Sequence, residues 1–429
     1  MTVIFLLCLF FLLLFLNVPI SFAIGLSTFL FMVTAIDFFP AAATVAQRMT
    51  NGVNSFALMA IPFFILSGQI MAQGGIAKRL INCAMALLGA LPGGLALVNV
   101  LSCTLFGAIS GSAVAATSAI GSFMVPQMKK AGYSDEFSAS VTATASTTGL
   151  LIPPSNILII YAIASGGVSI SALFMAGYIP GILVALVLMM FCFIYAKRKG
   201  FSGTERLPLK VVASHVWQAV PSLALIFIVM GGIISGIFTP TEAGAIAVLY
   251  ALVLSAGIYR EVDMSKFGEI LSKTVETTAI VLFLIATSSA LSWVLAYENI
   301  PQNLTNALLT ISENPLMILL IINLILLVIG AFMDMTPAVL IFTPIFLPIA
   351  VALGIDPLQF GIMMILNLCI GLCTPPVGAI LFVSCAVSGT KIEKMVKPML
   401  PMYVGMIVVL ILVTSFPGLS TYLPSLLAP

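Results

Sequence analysis

The residues best suited to chemistry in this sequence are small and hydroxylated side chains around two double prolines. The first double proline lies in residues 148–156 (TGLLIPPSN) and the second in residues 370–378 (IGLCTPPVG), 222 positions later. A proline inside a helix removes a backbone hydrogen bond and clashes with the preceding turn, so two in succession predict an open break. At such a break, free carbonyl groups can bind a cation and free amide groups can bind an anion.

Two further breaks interrupt long apolar runs. Residues 93–128 contain the tip Ser110-Gly111-Ser112, and residues 315–353 contain a tip with Asp334, which lies 222 positions after Ser112. An ionised carboxylate inside an apolar segment needs a partner, most simply a bound cation. The surrounding groups are hydroxyl and carbonyl oxygens, and His or Cys ligands for a transition metal are lacking, so the tips suit a hard monovalent cation.

The four breaks together predict two Na⁺ sites beside one substrate site. The residues predicted to bind Na⁺ are Ser110, Gly111, Ser112, Pro153, Ser155 and Asn156 at the first site, and Gly330, Met333, Asp334, Thr374, Pro375 and Gly378 at the second. The hydroxyl and amide groups of Ser112, Asn156 and Thr336 are predicted to hold an anionic substrate.

Other interpretations of these residues stay open at this point. Ser and Gly in membrane helices commonly mediate close packing rather than binding. Asp334 could carry a proton in a relay instead of binding a cation. Glu242 has the position of an interfacial helix start, and His215, the only histidine, that of an interfacial anchor beside Trp217.

The composition is that of an integral membrane protein built from helices. Of the 429 residues, 61% are hydrophobic and 7% are charged, and the mean hydropathy is +1.24. The apolar stretches are long enough for repeated helical crossings of a ~30 Å hydrocarbon core, unlike the short alternating strands of a barrel. A net charge of +2 gives no indication of a nucleic-acid partner. The sequence lacks the phosphate-binding loop, nucleophile turn and HExxH motifs of common enzymes, so we do not expect an enzyme.

The spacing of the prolines along the chain predicts two repeats. Pro348 follows Pro126 by the same 222 positions that separate the double prolines. We therefore predict a first repeat in residues 1–200, a cytoplasmic linker in residues 201–214 and a second repeat in residues 215–429. Each repeat would contain about five spanning helices, one re-entrant hairpin (about 93–128 and 315–353) and one discontinuous helix (about 137–165 and 358–387).

The distribution of positive charge predicts how the repeats are oriented. An odd number of crossings in each repeat inverts the second copy relative to the first. With the linker in the cytoplasm, all 16 Lys and Arg residues except Arg48 lie on the cytoplasmic side, as the positive-inside rule requires. Both termini are then predicted on the opposite side of the membrane.

A set of motifs along nearly the whole chain carries a family resemblance. These motifs are Ile61-Pro62-Phe63-Phe64 with Ser67-Gly68, Ser110-Gly111-Ser112 followed by Ala119-Ile120-Gly121, Gly132-Tyr133, Ile152-Pro153-Pro154-Ser155, Pro240-Thr241-Glu242-Ala243-Gly244, and Phe332-Met333-Asp334 with Pro337. In this set the sequence resembles the large membrane subunit of the tripartite ATP-independent periplasmic (TRAP) transporters, within the wider ion-transporter superfamily.

The resemblance implies Na⁺-coupled uptake of an organic acid, usually a carboxylate, across the bacterial inner membrane. It also implies a periplasmic binding protein that delivers the substrate, a small membrane subunit on a separate polypeptide, and an elevator motion of the hairpins and broken helices against a scaffold. By the same resemblance, the sodium sites coincide with the hairpin and double-proline residues named above. Many family members carry an acid where this chain has Ala116, a departure that weakens a C4-dicarboxylate specificity and leaves a sugar acid such as sialic acid open.

We therefore expect a Na⁺-coupled secondary transporter of an organic acid with periplasmic termini. The alternative is a proton-coupled or binding-protein-independent transporter of organic anions. An anion channel is less favoured, because the broken-helix design lacks a ring of pore-lining charges.

Overall fold

The structure is a computed structural model that describes residues 2–262, 265, 267–312 and 314–427. These residues form helices and their connections, and no strand is found among them. The helices of the first half are α1 (Thr2–Phe15), α2 (Ile20–Ala35), α3 (Phe38–Val53), α4 (Ala60–Gln73), α5 (Ile76–Leu88), α6 (Gly94–Ser110), α7 (Ala113–Lys130), α8 (Asp135–Leu151), α9 (Asn156–Ala164) and α10 (Ile170–Lys199). A 3-10 turn, Phe56–Met59, leads into α4.

The second half is built in the same way. Its helices are α11 (Leu209–Ile234), α12 (Pro240–Leu252), α13 (Phe267–Tyr297), α14 (Ile300–Ile311), α15 (Pro315–Phe332), α16 (Met335–Ala352), α17 (Pro357–Leu372), α18 (Ala379–Ser388), α19 (Ile392–Ser415) and α20 (Gly418–Leu427). A π-helical segment, Val253–Ile258, extends α12. Because α11 begins at Leu209, the irregular part of the predicted linker is residues 201–208.

The register predicted from the prolines is visible in the helix boundaries. α16 begins 222 positions after α7 (335 − 113), and α19 begins 222 positions after α10 (392 − 170). α17 likewise begins 222 positions after α8 (357 − 135). These three pairs of corresponding helices therefore start at corresponding residues, although their amino acids differ.

One helix of the second half replaces two helices of the first. α3 ends before Asn54-Ser55, whose short polar side chains compete with the backbone for hydrogen bonds and favour non-helical conformations. The corresponding residues, Glu276-Thr277, continue a helix of 31 residues, α13. α13 thus corresponds to residues 45–75 (267 − 222 and 297 − 222), which are the second half of α3 and the whole of α4.

The helix lengths are those of a membrane protein with many crossings. Among the described residues, eight helices are long and apolar enough to cross a membrane, or up to nine if the bent pair α8 and α9, which meet at 52°, counts as one span. The eight include α15 and α16, each of 18 residues, and an 18-residue helix is about 27 Å long. The prediction of an all-α polytopic membrane protein is confirmed, and five crossings with a re-entrant hairpin in each repeat stays a prediction. Lys266, one of the cations assigned to the cytoplasmic side, lies outside the described residues.

Each hairpin packs tightly on the first half of the broken helix in its own repeat. The α6–α7 hairpin is joined to α8 by hydroxyl pairs, Thr104 with Thr148 at 2.7 Å and Thr117 with Ser146 at 2.6 Å. The backbones of α6 and α8 come so close that a Cβ atom on Gly149 would lie 2.4 Å from the α6 backbone. Hydrogen bonds between buried side chains and small residues at crossings are the usual means by which helices associate in membranes.

The second repeat reproduces this arrangement with other residues. Asn367 on α17 donates hydrogen bonds to the side chain and backbone oxygens of Asn323 on α15, at 2.9 and 2.8 Å. A Cβ atom on Gly371 would lie 2.6 Å from the backbone of Gly330. Hairpin and broken helix therefore form one packed unit in each repeat.

The two units interlock at the centre of the protein. α9 packs against α16 of the other repeat, and α18 packs reciprocally against α7. The Ser384 hydroxyl on α18 donates to the carbonyl of Ala139 on α8 at 2.8 Å, and the Tyr161 hydroxyl on α9 donates to the carbonyl of Pro357 on α17, also at 2.8 Å. α10 and α19 pack against this core. The hairpins, the broken helices and these two long helices constitute what we call the inner body.

A second group of helices packs beside the inner body. α13 contacts α2, α3 and α4, and α12 packs on α4. Small residues allow the contacts: a Cβ atom on Gly52 of α3 would lie 2.4 Å from Ser289 of α13. The Arg48 guanidinium lies 4.9 Å from the centre of the Trp293 ring. We call this group, α2–α4 with α11–α13, the outer body.

Candidate functional site

The tip of the first hairpin is a sharp turn between two helices. α6 ends at Ser110, and Gly111 has a φ of +62°, a left-handed conformation that a residue with a Cβ atom adopts at a cost. Ser112 then caps α7, its hydroxyl accepting a hydrogen bond from the amide of Ala115 at 3.2 Å. Exposed amides at the start of α7 and hydroxyl oxygens thus meet at one point.

Asp334 occupies in the second hairpin the position that Ser112 occupies in the first. α15 ends at Phe332, Met333 is extended, and Asp334 caps α16 by accepting a hydrogen bond from the amide of Thr336 at 3.4 Å. The alignment of Ser112 with Asp334 therefore holds at the level of geometry. Of the two equivalent caps, this one carries a formal negative charge.

The first double proline lies beside the first tip. α8 stops at Leu151 and α9 begins at Asn156, and the Ser155 hydroxyl donates to the carbonyl of Leu150 at 2.6 Å. A Cβ atom on Gly111 would lie 3.1 Å from the amide nitrogen of the Asn156 side chain. The Oδ1 atom of Asn156 is buried and has no hydrogen-bond partner among the described residues. An unpaired buried oxygen is costly and marks a place where a cation or a water molecule would be bound.

A backbone hydrogen bond joins the second double proline directly to the second tip. The amide of Val377 donates to the carbonyl of Ala331, the penultimate residue of α15, at 3.1 Å. The Thr374 hydroxyl donates to the carbonyl of Ile370 at 2.7 Å. The Tyr403 hydroxyl of α19 donates to the carbonyl of Cys373 and ties this break to the inner body. The peptide bond between the two prolines is cis in both breaks.

Both tips open into one cavity of about 760 Å³ between the inner and outer bodies. All three residues predicted to bind substrate, Ser112, Asn156 and Thr336, line it. The other predicted residues that line it are Ser110, Gly111 and Asp334. The remaining predicted residues lie in the tips and breaks but do not line the cavity: Pro153, Ser155, Gly330, Met333, Thr374, Pro375 and Gly378.

The far wall of the cavity was not predicted from the sequence. It is formed by α4, with Gln69 and Gln73, and by α13, with Lys273 and Thr277. Lys273 supplies a positive charge to the wall, and its ammonium group also lies 2.7 Å from a carboxylate oxygen of Glu269. Two glutamines four residues apart on a mostly apolar helix were a local signal, because that spacing places both on one face. Which helix faces the tips is a tertiary property that this signal does not contain.

Gly68 sets the distance between α4 and the first tip. A Cβ atom at this position would lie 2.6 Å from the carbonyl oxygen of Ser110, so a side chain would separate the outer body from the hairpin. The Ser67-Gly68 motif thus has a packing explanation. Ala116, in contrast, is fully buried and does not line the cavity. The expectation that its identity bears on substrate choice finds no support in a direct contact.

The donor set suits a hard monovalent cation. Hydroxyl, carboxylate, amide and backbone oxygens converge from the tips and breaks, and oxygen ligands are those that such ions prefer. Within the described ranges, no group of three or more His, Cys, Asp or Glu side chains is placed to hold a metal ion. The unpaired Oδ1 of Asn156 and the carboxylate of Asp334 fit the predicted Na⁺ sites.

Comparison with known proteins identifies the family. Residues 7–419 match the family described as "Tripartite ATP-independent periplasmic transporter, DctM component". The uncharacterized protein YgiK of Salmonella typhimurium is 54% identical over 413 residues, which cover 96% of this chain and 95% of that protein. Of the Vibrio cholerae proteins, the sialic acid TRAP transporter large permease protein SiaM is 39% identical, with 96% of each chain covered. The C4-dicarboxylate TRAP transporter large permease protein DctM is 41% identical, covering 96% of this chain and 95% of that one.

A solved structure shares the fold. The YdaH transporter of Alcanivorax borkumensis, described as having an unusual topology, superposes with a TM-score of 0.59 over 86% of this chain and 87% of that one, at 15% identity. TRAP large permeases work with a small membrane subunit and a periplasmic binding protein to move organic acids. Because residues 7–419 match a family of transporter permeases, the chain is a transporter component and not an enzyme. The chain belongs to the DctM component family of TRAP transporters and is a multi-pass large permease of the inner membrane.

Proposed function

We propose that this permease couples the inward movement of Na⁺ to the uptake of a carboxylate. The observation that carries the proposal is the single cavity that both hairpin tips line together with Asn156. Na⁺ bound at the tips and breaks would hold Ser112, Asn156 and Thr336 in place. Their hydroxyl and amide groups, with the first amides of α7 and α16, would then bind the carboxylate.

The substrate is proposed to be an organic acid such as sialic acid or a C4-dicarboxylate. Relatives of this chain carry these substrates in their names. A cavity of about 760 Å³ accommodates either.

The transport step is proposed to be an elevator motion. The hairpins and the broken helices are joined by buried hydrogen bonds, and α10 and α19 pack against them, whereas a cavity separates this inner body from α4 and α13 over part of their contact. Sliding the inner body past the outer body would carry the site from one side to the other, as a rigid shear. Gly68, at the contact of α4 with the first tip, would permit close passage.

Both termini are proposed to be periplasmic. The structure brings together segments that the charge rule placed in the cytoplasm: Arg79 pairs with Glu261 at 2.9 Å, and the Thr204 amide donates to the carbonyl of Gly89 at 2.8 Å. Arg198 and Lys394 line one shared cavity. If Lys129 and Lys391 proved reactive to an impermeant reagent applied from the periplasm, this orientation would be wrong.

Reconstitution in liposomes with the small subunit and the binding protein tests the coupling. Uptake of a radiolabelled substrate is expected to require an inward Na⁺ gradient at clamped pH and to be abolished when Na⁺ is replaced by K⁺. Equal uptake without Na⁺, or uptake that follows a proton gradient alone, would favour the alternative, a proton-coupled transporter with Asp334 as the proton carrier. Uptake that needs no binding protein would contradict delivery by that partner.

A further inference from the structure

A second cavity lies at the basic end of the inner body. It has a volume of about 830 Å³ and is formed mainly by the last turns of α10 and the first turns of α19, with the start of α8 at its base. Its lining differs from that of the first cavity, because it combines cations with apolar and aromatic side chains. Neither the hairpin tips nor the double prolines contribute to it.

Each of the two helices presents a stripe that changes from apolar to basic along its length. On α10 the stripe is Phe191, Ile194, Tyr195 and Arg198, which are spaced by three and four residues and share one face. On α19 the lining residues Lys394, Lys397, Pro398, Pro401 and Met402 follow the same spacing from basic to apolar. Because the helices are antiparallel here, the cations of both lie at the same end of the cavity and the apolar residues at the other.

The basic end of the cavity carries an excess of positive charge. Four cations line it, Arg198, Lys199, Lys394 and Lys397, against the two acids Glu136 and Glu393, which leaves +2 (4 − 2). All four cations are exposed, and none of them takes part in an ion pair within 4 Å among the described residues. Positive charges that are neither paired nor buried are available to an anion.

The apolar end is a groove between α10 and α19 that ends where the two helices meet. Tyr195 stacks on the buried ring of Phe137 with ring centres 3.8 Å apart. α19 meets α10 at Gly405, where a Cβ atom would lie 2.6 Å from Phe191. Gly405 is eight residues from Lys397, so the groove closes about 12 Å below the cations along the axis of α19.

We propose that this cavity binds an anionic phospholipid of the cytoplasmic leaflet. The phosphate group would lie between the cations of α10 and α19, and the start of an acyl chain would follow the apolar groove towards Gly405. The cavity and a phospholipid match in the order of their groups along the membrane normal, since the negative headgroup meets the cations and the apolar chain meets the apolar groove. Basic pockets between helices on the cytoplasmic side are suited to such headgroups. This lipid would be attached to the inner body, independently of the substrate site.

Binding of fluorescently labelled phosphatidylglycerol to the purified complex of this permease and its small subunit tests the assignment. The variant Arg198→Gln with Lys397→Gln is expected to bind on the order of 25-fold more weakly, at about fivefold for each cation. The matched control is Lys197→Gln with Lys391→Gln, which removes two exposed cations from the same helix ends without touching the cavity. This control is expected to change binding by less than threefold.

Three outcomes would overturn the proposal. Equal weakening in both double variants would mean that the helix ends attract anions diffusely. Equal binding of phosphatidylcholine would remove the role of the headgroup charge, and equal competition by soluble glycerol phosphate would remove the role of the groove. If the double variant does not fold, the single variants Lys397→Gln and Lys391→Gln give the same comparison, with about fivefold expected for the first.

Discussion

The charge of Asp334 can be removed with little change to the fold, which makes it the sharpest test of the ion site. Asp334 caps α16 by accepting a hydrogen bond from the amide of Thr336. Asparagine caps helices about as well as aspartate, so Asp334→Asn is expected to keep the hairpin tip intact. What the substitution removes is the negative charge at the second proposed Na⁺ site.

The expected size follows from the exposure of the carboxylate. Two unit charges 4 Å apart interact by about 1 kcal/mol in water and by about 4 kcal/mol at an effective dielectric constant of 20. Asp334 is exposed to the cavity, so the lower part of this range applies. A loss of about 1–2 kcal/mol raises the Na⁺ concentration for half-maximal uptake by about 5- to 30-fold.

The assay is uptake in liposomes at saturating substrate and varied Na⁺, with the small subunit and the binding protein present. Ser112→Ala, at the equivalent cap of the first hairpin, removes a neutral oxygen and serves as the comparison, with a smaller shift expected. An unchanged Na⁺ dependence in Asp334→Asn would remove this carboxylate from the ion site. A loss of uptake at every Na⁺ concentration, together with a lower unfolding temperature, would show that its role is structural.

The packing of the inner body and the unpaired oxygen beside the tip give three further predictions. Gly149→Ala places a Cβ atom 2.4 Å from the α6 backbone and is expected to destabilise the protein by about 1–3 kcal/mol in thermal unfolding. The control is Gly231→Ala, where a Cβ atom meets open space and the unfolding temperature should not change. A similar drop in unfolding temperature in both variants would refute the packing argument. Thr104→Val breaks the hydrogen bond with Thr148 and is expected to lower the free energy of unfolding by about 0.6 kcal/mol. The double variant Thr104→Val with Thr148→Val is expected to be no less stable than the single variant. Additive losses of stability would mean that the two hydroxyls do not act as a pair. Asn156→Ala removes an unpaired buried oxygen, so Na⁺-dependent uptake is expected to weaken about tenfold without a lower unfolding temperature, and a fall in stability would instead indicate a structural side chain.

The helix breaks could be predicted from the sequence because their causes are local. Two prolines in succession cannot continue a helix, and Gly111 permits the positive φ that the first tip requires. The register of 222 positions could be obtained from prolines alone and reappears at the starts of α7 and α16. The equivalence of Ser112 and Asp334 as helix caps follows from that register.

The outer wall of the cavity could not be predicted in this way. Gln69, Gln73 and Lys273 line the cavity only because α4 and α13 pack beside the tips, and no local rule specifies that neighbour. The same holds for Ala116, which the sequence placed close to the tip, whereas helix geometry turns it into the protein interior. Positions within the tip were thus predictable, and the faces opposite the tip were not.

The two repeats share a fold, but their hairpins are packed differently, and this difference determines towards which side of the membrane the cavity extends. Ser118 of α7 is exposed to the cavity, whereas its counterpart 222 positions later, Leu340 of α16, is 4% exposed. The cavity follows α7 beyond its tip towards Lys129 and Lys130, but it includes α16 only as far as Thr336, because α16 packs against α13. In the proposed orientation this path leads to the cytoplasm. The repeats are equivalent in register, so each hairpin could adopt the packing that the other has here. If α7 were covered as α16 is now, and α16 uncovered as α7 is now, the path along α7 would close and one along α16 would open, on the opposite side of the same pair of tips.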